Sequence, residues 1–171
     1  MGPAGDAYDL RLTDRKSVRI RPLRPTDRDI YERAVIDLSP RSRYLRFLAP
    51  IARPSEKLLD EMTDVDGRLH VASVALIPDE TGAVGVVRYV RRREAPGLAE
   101  VAIAIADDWQ GHGLGRELMR HTVAHARQAR LRVLCATTLR ENAGASRLLR
   151  ASGFSPWRAD GPYVEHRLLP G

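Results

Sequence analysis

The stretch Asp108-Trp109-Gln110-Gly111-His112-Gly113-Leu114-Gly115-Arg116 constrains this chain more than any other part of it. It sets three glycines between an apolar strand-like run, Val101 to Ala106, and a helix-like run, Leu114 to Arg130. Glycine at alternate positions allows a tight turn that points successive N–H groups the same way. The helix that follows begins with unsatisfied N–H donors and the positive end of its dipole. Together these make an anion site, most naturally for a pyrophosphate.

Two well-known phosphate loops do not fit. A P-loop needs Lys and then Ser or Thr after its glycines, whereas Arg116 and Glu117 follow Gly115. A dinucleotide fingerprint needs its third glycine where Arg116 stands. It also needs an acid about 20 residues on, and none lies between Arg130 and Arg140. What stands here is Gln-x-x-Gly-x-Gly, Gln110 to Gly115. That pattern resembles the acetyl-CoA signature of the GNAT superfamily of N-acetyltransferases.

Length and composition narrow the class. A chain of 171 residues reads as one domain with a real core, over 17–171, after a loose tail over 1–16. The net charge of +6 is not read as a nucleic-acid footprint: 26 of the 28 basic residues are arginine, they are spread along the chain, and aromatics for base stacking are few. That arginine bias fits a GC-rich genome. One cysteine, Cys135, excludes an internal disulfide framework, and its apolar neighbours read as a buried thiol. With no membrane-length apolar run and no signal core, a bacterial cytoplasmic enzyme is expected.

Ser17–Leu23 alternates as a strand, and Thr26 is the expected cap of a helix ending near Leu38. Arg41–Leu48 and a segment capped by Ser55 form two more helices. His70–Ile77, Ala83–Arg92 and Leu98–Ala106 are strands. After the glycine loop, the helix to Ala129 precedes the strand Val133–Thr138, the helix Ala143–Ala151 ended by Gly153, and two short strands, Phe154–Trp157 and Tyr163–Leu168. This order matches the GNAT fold, an α/β arrangement whose mixed, mostly antiparallel sheet of about seven strands is flanked by helices.

The strand before the loop has two unlike faces. Val101, Ile103 and Ile105 are bulky, whereas Glu100, Ala102, Ala104 and Ala106 leave the other face nearly bare. Small side chains admit a close approach, by an extended ligand arm or by a packed helix. Glu100 is the one carboxylate in the strand. Partial burial would raise its pKa toward the range of a general base, while a place at the solvated strand start would make it an ordinary surface residue.

The resemblance takes the first reading. Ala99-Glu100-Val101-Ala102 with the glycine loop ten residues after the Glu is similar to the bacterial Pat-type protein lysine acetyltransferases, as is Ser39-Pro40-Arg41-Ser42-Arg43-Tyr44-Leu45-Arg46-Phe47. It implies Glu100 as general base and acetyl-CoA as cosubstrate. It implies backbone contacts from Ile103, Ala104 and Ile105 to the pantetheine and thioester. Gln110, Gly111, His112, Gly113, Leu114, Gly115 and Arg116 would hold the pyrophosphate. Asn142 and Ser146 would add contacts, and Asn142 serves equally as a plain helix cap. Leu149 stands where many members have a tyrosine acid, so none is assigned, and Tyr44 and Tyr163 are the weaker candidates.

Other constellations carry less. His121 and His125 have a metal-compatible spacing but no third ligand, so a solvated helix face and no metal are expected. Trp109 reads as a packing anchor. The function expected is direct acetyl transfer to an amine, with a protein lysine (as on acyl-CoA synthetases) as acceptor and no nucleic-acid or membrane partner. A small-molecule amine is the other acceptor, and a non-catalytic acyl-CoA sensor the other class. Specificity is expected in Ser39–Phe47, whose Arg41, Arg43 and Arg46 favour an acidic acceptor, and in Arg158–Tyr163.

Overall fold

The structure is a computed structural model that describes residues 7–79 and 81–171. Eight strands form one open sheet: β1 (Tyr8–Arg11), β2 (Ser17–Pro22), β3 (His70–Leu76), β4 (Ala83–Arg92), β5 (Ala95–Ile105), β6 (Val133–Leu139), β7 (Ser155–Asp160) and β8 (Tyr163–Leu168). Their spatial order is β1-β2-β3-β4-β5-β6-β8-β7. The neighbours are antiparallel, except that β5 and β6 run parallel. The helices are α1 (Arg28–Asp37), α2 (Pro40–Phe47), α3 (Glu56–Thr63), α4 (Leu114–Gln128) and α5 (Ala143–Ala151).

The period-2 alternation of the strands divides the core into two layers. Val87 and Tyr89 of β4, Val101 of β5 and Leu134 and Ala136 of β6 pack with Leu114, Leu118 and Met119 of α4 and Leu149 of α5. Val74 and Leu76 of β3 and Val86 of β4 pack on the other face with Tyr31, Val35 and Leu59 of α1 and α3. Gly85 lets β4 run close beneath α4: a Cβ there would lie 3.0 Å from Ile105 and 3.1 Å from Leu118. Among the described residues no helix is long and apolar enough to cross a membrane.

Two expectations are corrected. Within the stretch expected to be a loose tail, Tyr8–Arg11 pair in register with Ser17–Ile20, so β1 is the eighth strand; residues 1–6 lie outside the described residues. Thr26 does not cap α1. The chain enters through a turn over Pro25–Asp27, and the Asp27 carboxylate accepts the Arg24 N–H at 2.7 Å. Arg21 grips the same carboxylate with two nitrogens at 2.7 and 2.9 Å, both side chains being buried. Burial opposes ionisation of Asp27, but these bonds hold its carboxyl below the usual range.

Candidate active site

β5 and β6 pair only at Leu98–Val133, Ala99–Leu134 and Glu100–Cys135, and then part. Glu100 therefore stands at the vertex of a gap in the sheet. Ala106 donates its N–H to Val84 across β4 at 2.9 Å. Antiparallel alternation then ties the backbone groups of Ala104 to β4 and turns those of Ile103 and Ile105 toward the gap. So Ile103 and Ile105 can offer backbone groups there, whereas Ala104 offers only its methyl. One of these groups is partnered within the chain: Gln110 Nε2 donates to the Ile105 carbonyl at 3.1 Å.

A cleft of about 630 Å³ joins this gap to the N-terminus of α4. Of the residues singled out from sequence, Ile103, Ala104, Ile105, Gln110, Gly111, Gly113, Gly115, Arg116 and Asn142 line it. Gly111 at φ +80° and Gly113 at φ +91° adopt the left-handed conformation that side chains disfavour. Gly113 is also the cap of α4, so the first-turn N–H groups of that helix open toward the cleft. Gly115 admits α5, since a Cβ there would meet Leu148 at 3.2 Å. Asn142 lines the cleft and caps α5, accepting the Ala145 N–H at 3.0 Å, so its two readings coexist.

Glu100, Leu114, His112 and Ser146 lie outside the lining. Leu114 is fully buried in the core under α4. His112 faces Asp14, with Nδ1 3.2 Å from its carboxylate. The sequence reading missed Thr13 and Arg147, which do line the cleft, and expected Arg46, which lines it too, only as an acceptor contact. Position on α5, one turn after its cap, could have signalled Arg147; nothing local marks Thr13. The turn carrying Thr13 nonetheless clasps the glycine loop: Thr13 donates to the His112 carbonyl at 3.2 Å and Lys16 to the Asp108 carbonyl at 3.1 Å. Lys16 also covers Trp109 at 4.9 Å, in keeping with Trp109 as an anchor.

Glu100 does not have the partial burial expected of it. Its side chain is 49% accessible and lies 3.8 Å from Arg92. Its register partner Cys135 is buried, as expected of the thiol, and burial pushes that thiol up. Beyond Cys135 the same face carries Arg167, ion-paired with Glu165 at 2.6 Å and covering exposed Trp157 at 4.3 Å. Tyr44 and Tyr163 are both partly exposed, and Leu149 is core.

The opposite wall is α2. Ser39 caps it, accepting the Ser42 N–H at 3.1 Å. Asp107, just past β5, accepts the Ser39 N–H at 3.0 Å and the hydroxyls of Ser39 and Ser42 at 2.9 and 2.7 Å. Burial works against its charge, yet these donors hold its carboxyl below the usual range. Of the three arginines expected to face an acceptor, Arg41 is exposed and Arg46 lines the cleft. Arg43 turns inward and donates to the Ile36 carbonyl of α1 at 2.7 Å.

The expected solvated face at His121 and His125 is not found. His121 lies against Tyr8, and His125 Nδ1 meets the Tyr89 hydroxyl at 2.8 Å. Burial first, and neighbouring cationic groups second, lower both imidazoles. Among the described residues no group of three His, Cys, Asp or Glu could hold a metal ion.

Residues 17–155 match the acetyltransferase (GNAT) domain family. An acetyltransferase of Pseudomonas aeruginosa is 39% identical over 96% of this chain and 90% of its own length. Acetyltransferase Pat of Mycolicibacterium smegmatis is 28% identical over 78% of this chain, which spans 40% of that protein. Among solved structures, the GNAT domain of S. lividans PAT superposes with a TM-score of 0.90 at 27% identity, covering 99% of both chains.

Proposed function

From the premise that the chain belongs to the GNAT acetyltransferase family and is an N-acyltransferase, we propose that it passes acetyl directly from acetyl-CoA to a protein lysine in a ternary complex. The observation that carries this reading is the vertex. One carboxylate, Glu100, stands where β5 loses its partner, three residues before Ile103, where the strand begins to line a cleft that runs to a glycine-capped helix N-terminus.

The donor set fits a CoA thioester. The first-turn N–H groups of α4, Arg116 and Arg147 supply positive potential for a pyrophosphate. The backbone groups of Ile103 and the N–H of Ile105, turned toward the gap, allow the pantetheine amides to add as a short β-strand. An N–H there is also suited to a thioester carbonyl as charge builds on its oxygen.

In the reaction the amine nitrogen attacks the thioester carbon, the carbon–sulfur bond breaks and CoA leaves as thiolate. Glu100, directly or through a water, takes the proton the amine loses. The exposure of Glu100 keeps it in reach of a lysine arriving from solvent. Holding donor and acceptor together supplies much of the rate by proximity. CoA thiolate is a tolerable leaving group near neutral pH, so a tyrosine acid is dispensable here.

A protein acceptor is supported by the open face around Glu100, where Arg92, Arg167 and Trp157 offer exposed surface. The similarity to Pat and to the S. lividans PAT domain points the same way. The test is CoA thiol release and acetyl incorporation, using acetyl-CoA with a panel of purified bacterial proteins and small amines. Turnover with a protein lysine supports the reading, and turnover confined to small amines replaces it.

A further inference from the structure

Arg88 lies in the middle of β4 and is 3% exposed. No acid pairs with it among the described residues. Its Nη1 donates to the Met62 carbonyl at 3.0 Å and lies 3.1 Å from His70 Nε2. His70 Nδ1 faces the Asp64 carbonyl at 2.8 Å, which places the imidazole proton on Nδ1 and leaves Nε2 to accept. The guanidinium carbon sits 5.2 Å from the Tyr31 ring. Nε and Nη2 are buried without a hydrogen-bond partner among the described residues.

A buried cation with no counter-charge and idle donors is an arrangement that folding alone disfavours. Burial pulls the guanidinium down to about 10, so at neutral pH it keeps its charge. Arg46 of α2 is a second cation close enough to act on it in the same direction. Both groups neighbour Tyr31: Arg88 covers its ring and Arg46 lines a cavity with it, and among the described residues no acid pairs with Arg88.

That region adjoins the reacting centre. In the β4–β5 register Arg88 lies opposite Ala102, Val86 opposite Ala104 and Val90 opposite Glu100. All three β5 residues share one face, and two of them end at a methyl group. Arg46 lines the CoA cleft and also a small cavity of about 20 Å³ with Tyr31, Val86 and Ala104. Arg88 is not itself in that lining, but Tyr31, over whose ring it lies, is, and beside Arg88 the strand carries only the methyl group of Ala102, one same-face position from Glu100.

We propose that Arg88 and Arg46 form a carboxylate-recognition subsite on the alanine face of β5, selecting a substrate that carries an anionic group beside the reacting centre. The proposal rests on the N-acyltransfer reading. The carboxylate can come from the far end of a dicarboxylic acyl group on CoA or from the acceptor. Planar bidentate pairing is the contact that the fork of a guanidinium favours.

Two arms on the full chain test it. The donor arm measures by calorimetry the affinity for succinyl-CoA against butyryl-CoA, which has the same chain length without the carboxylate. The acceptor arm measures acetyl transfer to a lysine peptide with glutamate beside the lysine, against the same peptide with glutamine. In the wild type one arm favours the carboxylate member by about tenfold or more, and the arm that does so names the source. In Arg88→Met that ratio falls to about one, and Arg88→Lys retains part of it. Wild-type ratios below about threefold in both arms would overturn the subsite, as would an unchanged ratio in Arg88→Met. The wild-type ratios need no variant to fold. The donor arm reads binding without turnover, so a failure of the acyltransfer reading shows separately, as absent CoA release.

Discussion

Asp107 accepts both the backbone N–H and the hydroxyl of Ser39, at 3.0 and 2.9 Å. One residue follows the strand that borders the gap, and the other caps the helix that walls it. The pair therefore fixes the width of the cleft. Asp107→Ala is expected to raise KM for acetyl-CoA by about tenfold, the size of one or two lost charge-assisted hydrogen bonds. Steady-state kinetics alongside a melting curve check this, because the pair is exposed and Tm should move little.

Gly113 holds φ +91° at the cap of α4. Alanine there pays about 1–2 kcal/mol of left-handed strain, while its Cβ meets Thr13 only at an ordinary 4.0 Å. Gly113→Ala should lower Tm modestly and weaken acetyl-CoA binding by calorimetry. Thr13→Ala, which removes only the clasp to His112, should weaken binding less.

Much of this was legible in the sequence, and for local reasons. The caps Ser55 and Asn142 act through their own first turns, and the glycine loop announces itself by spacing. What was not legible depends on the register between distant strands. Nothing around Arg88 distinguishes it from Arg91, and only pairing with Ala102 places it on a buried face. The accessibility of Glu100 depends in the same way on where β6 stops pairing. His121 and His125 read as solvent-facing because their covers, Tyr8 and Tyr89, belong to other strands. β1 is only four residues long, too short for alternation to stand out.

The Arg21–Asp27 pair makes a stability prediction. Breaking one side of a buried pair costs about 3–5 kcal/mol, so Asp27→Ala should lower the urea midpoint strongly. The carboxyl of Asp27 sits lower in the folded chain than in the unfolded one. Its contribution is therefore present above about pH 4 and lost as pH falls through the folded value. Chemical denaturation of wild type and Asp27→Asn from pH 6 to pH 3 should show the two stabilities converging toward low pH.

His70, His121, His125 and His166 are all lowered, with burial the leading cause in each. The unfolded chain binds protons near pH 6.5, where these folded groups do not. Unfolding should therefore take up protons between about pH 7 and pH 5, and stability should fall on acidification across that window. Calorimetry in two buffers of different ionisation enthalpy counts those protons, and a count of zero would remove this account of the histidines.

The central claim is that Glu100 accepts the amine proton at the vertex of β5 and β6. Glu100→Gln keeps size and polarity and removes only the base, so the decisive measurement is its kcat beside its Kd for acetyl-CoA. The account predicts a fall in kcat of about 10²–10⁴-fold with acetyl-CoA affinity within about twofold of wild type. Transfer at the wild-type rate would contradict it and take Glu100 out of the mechanism.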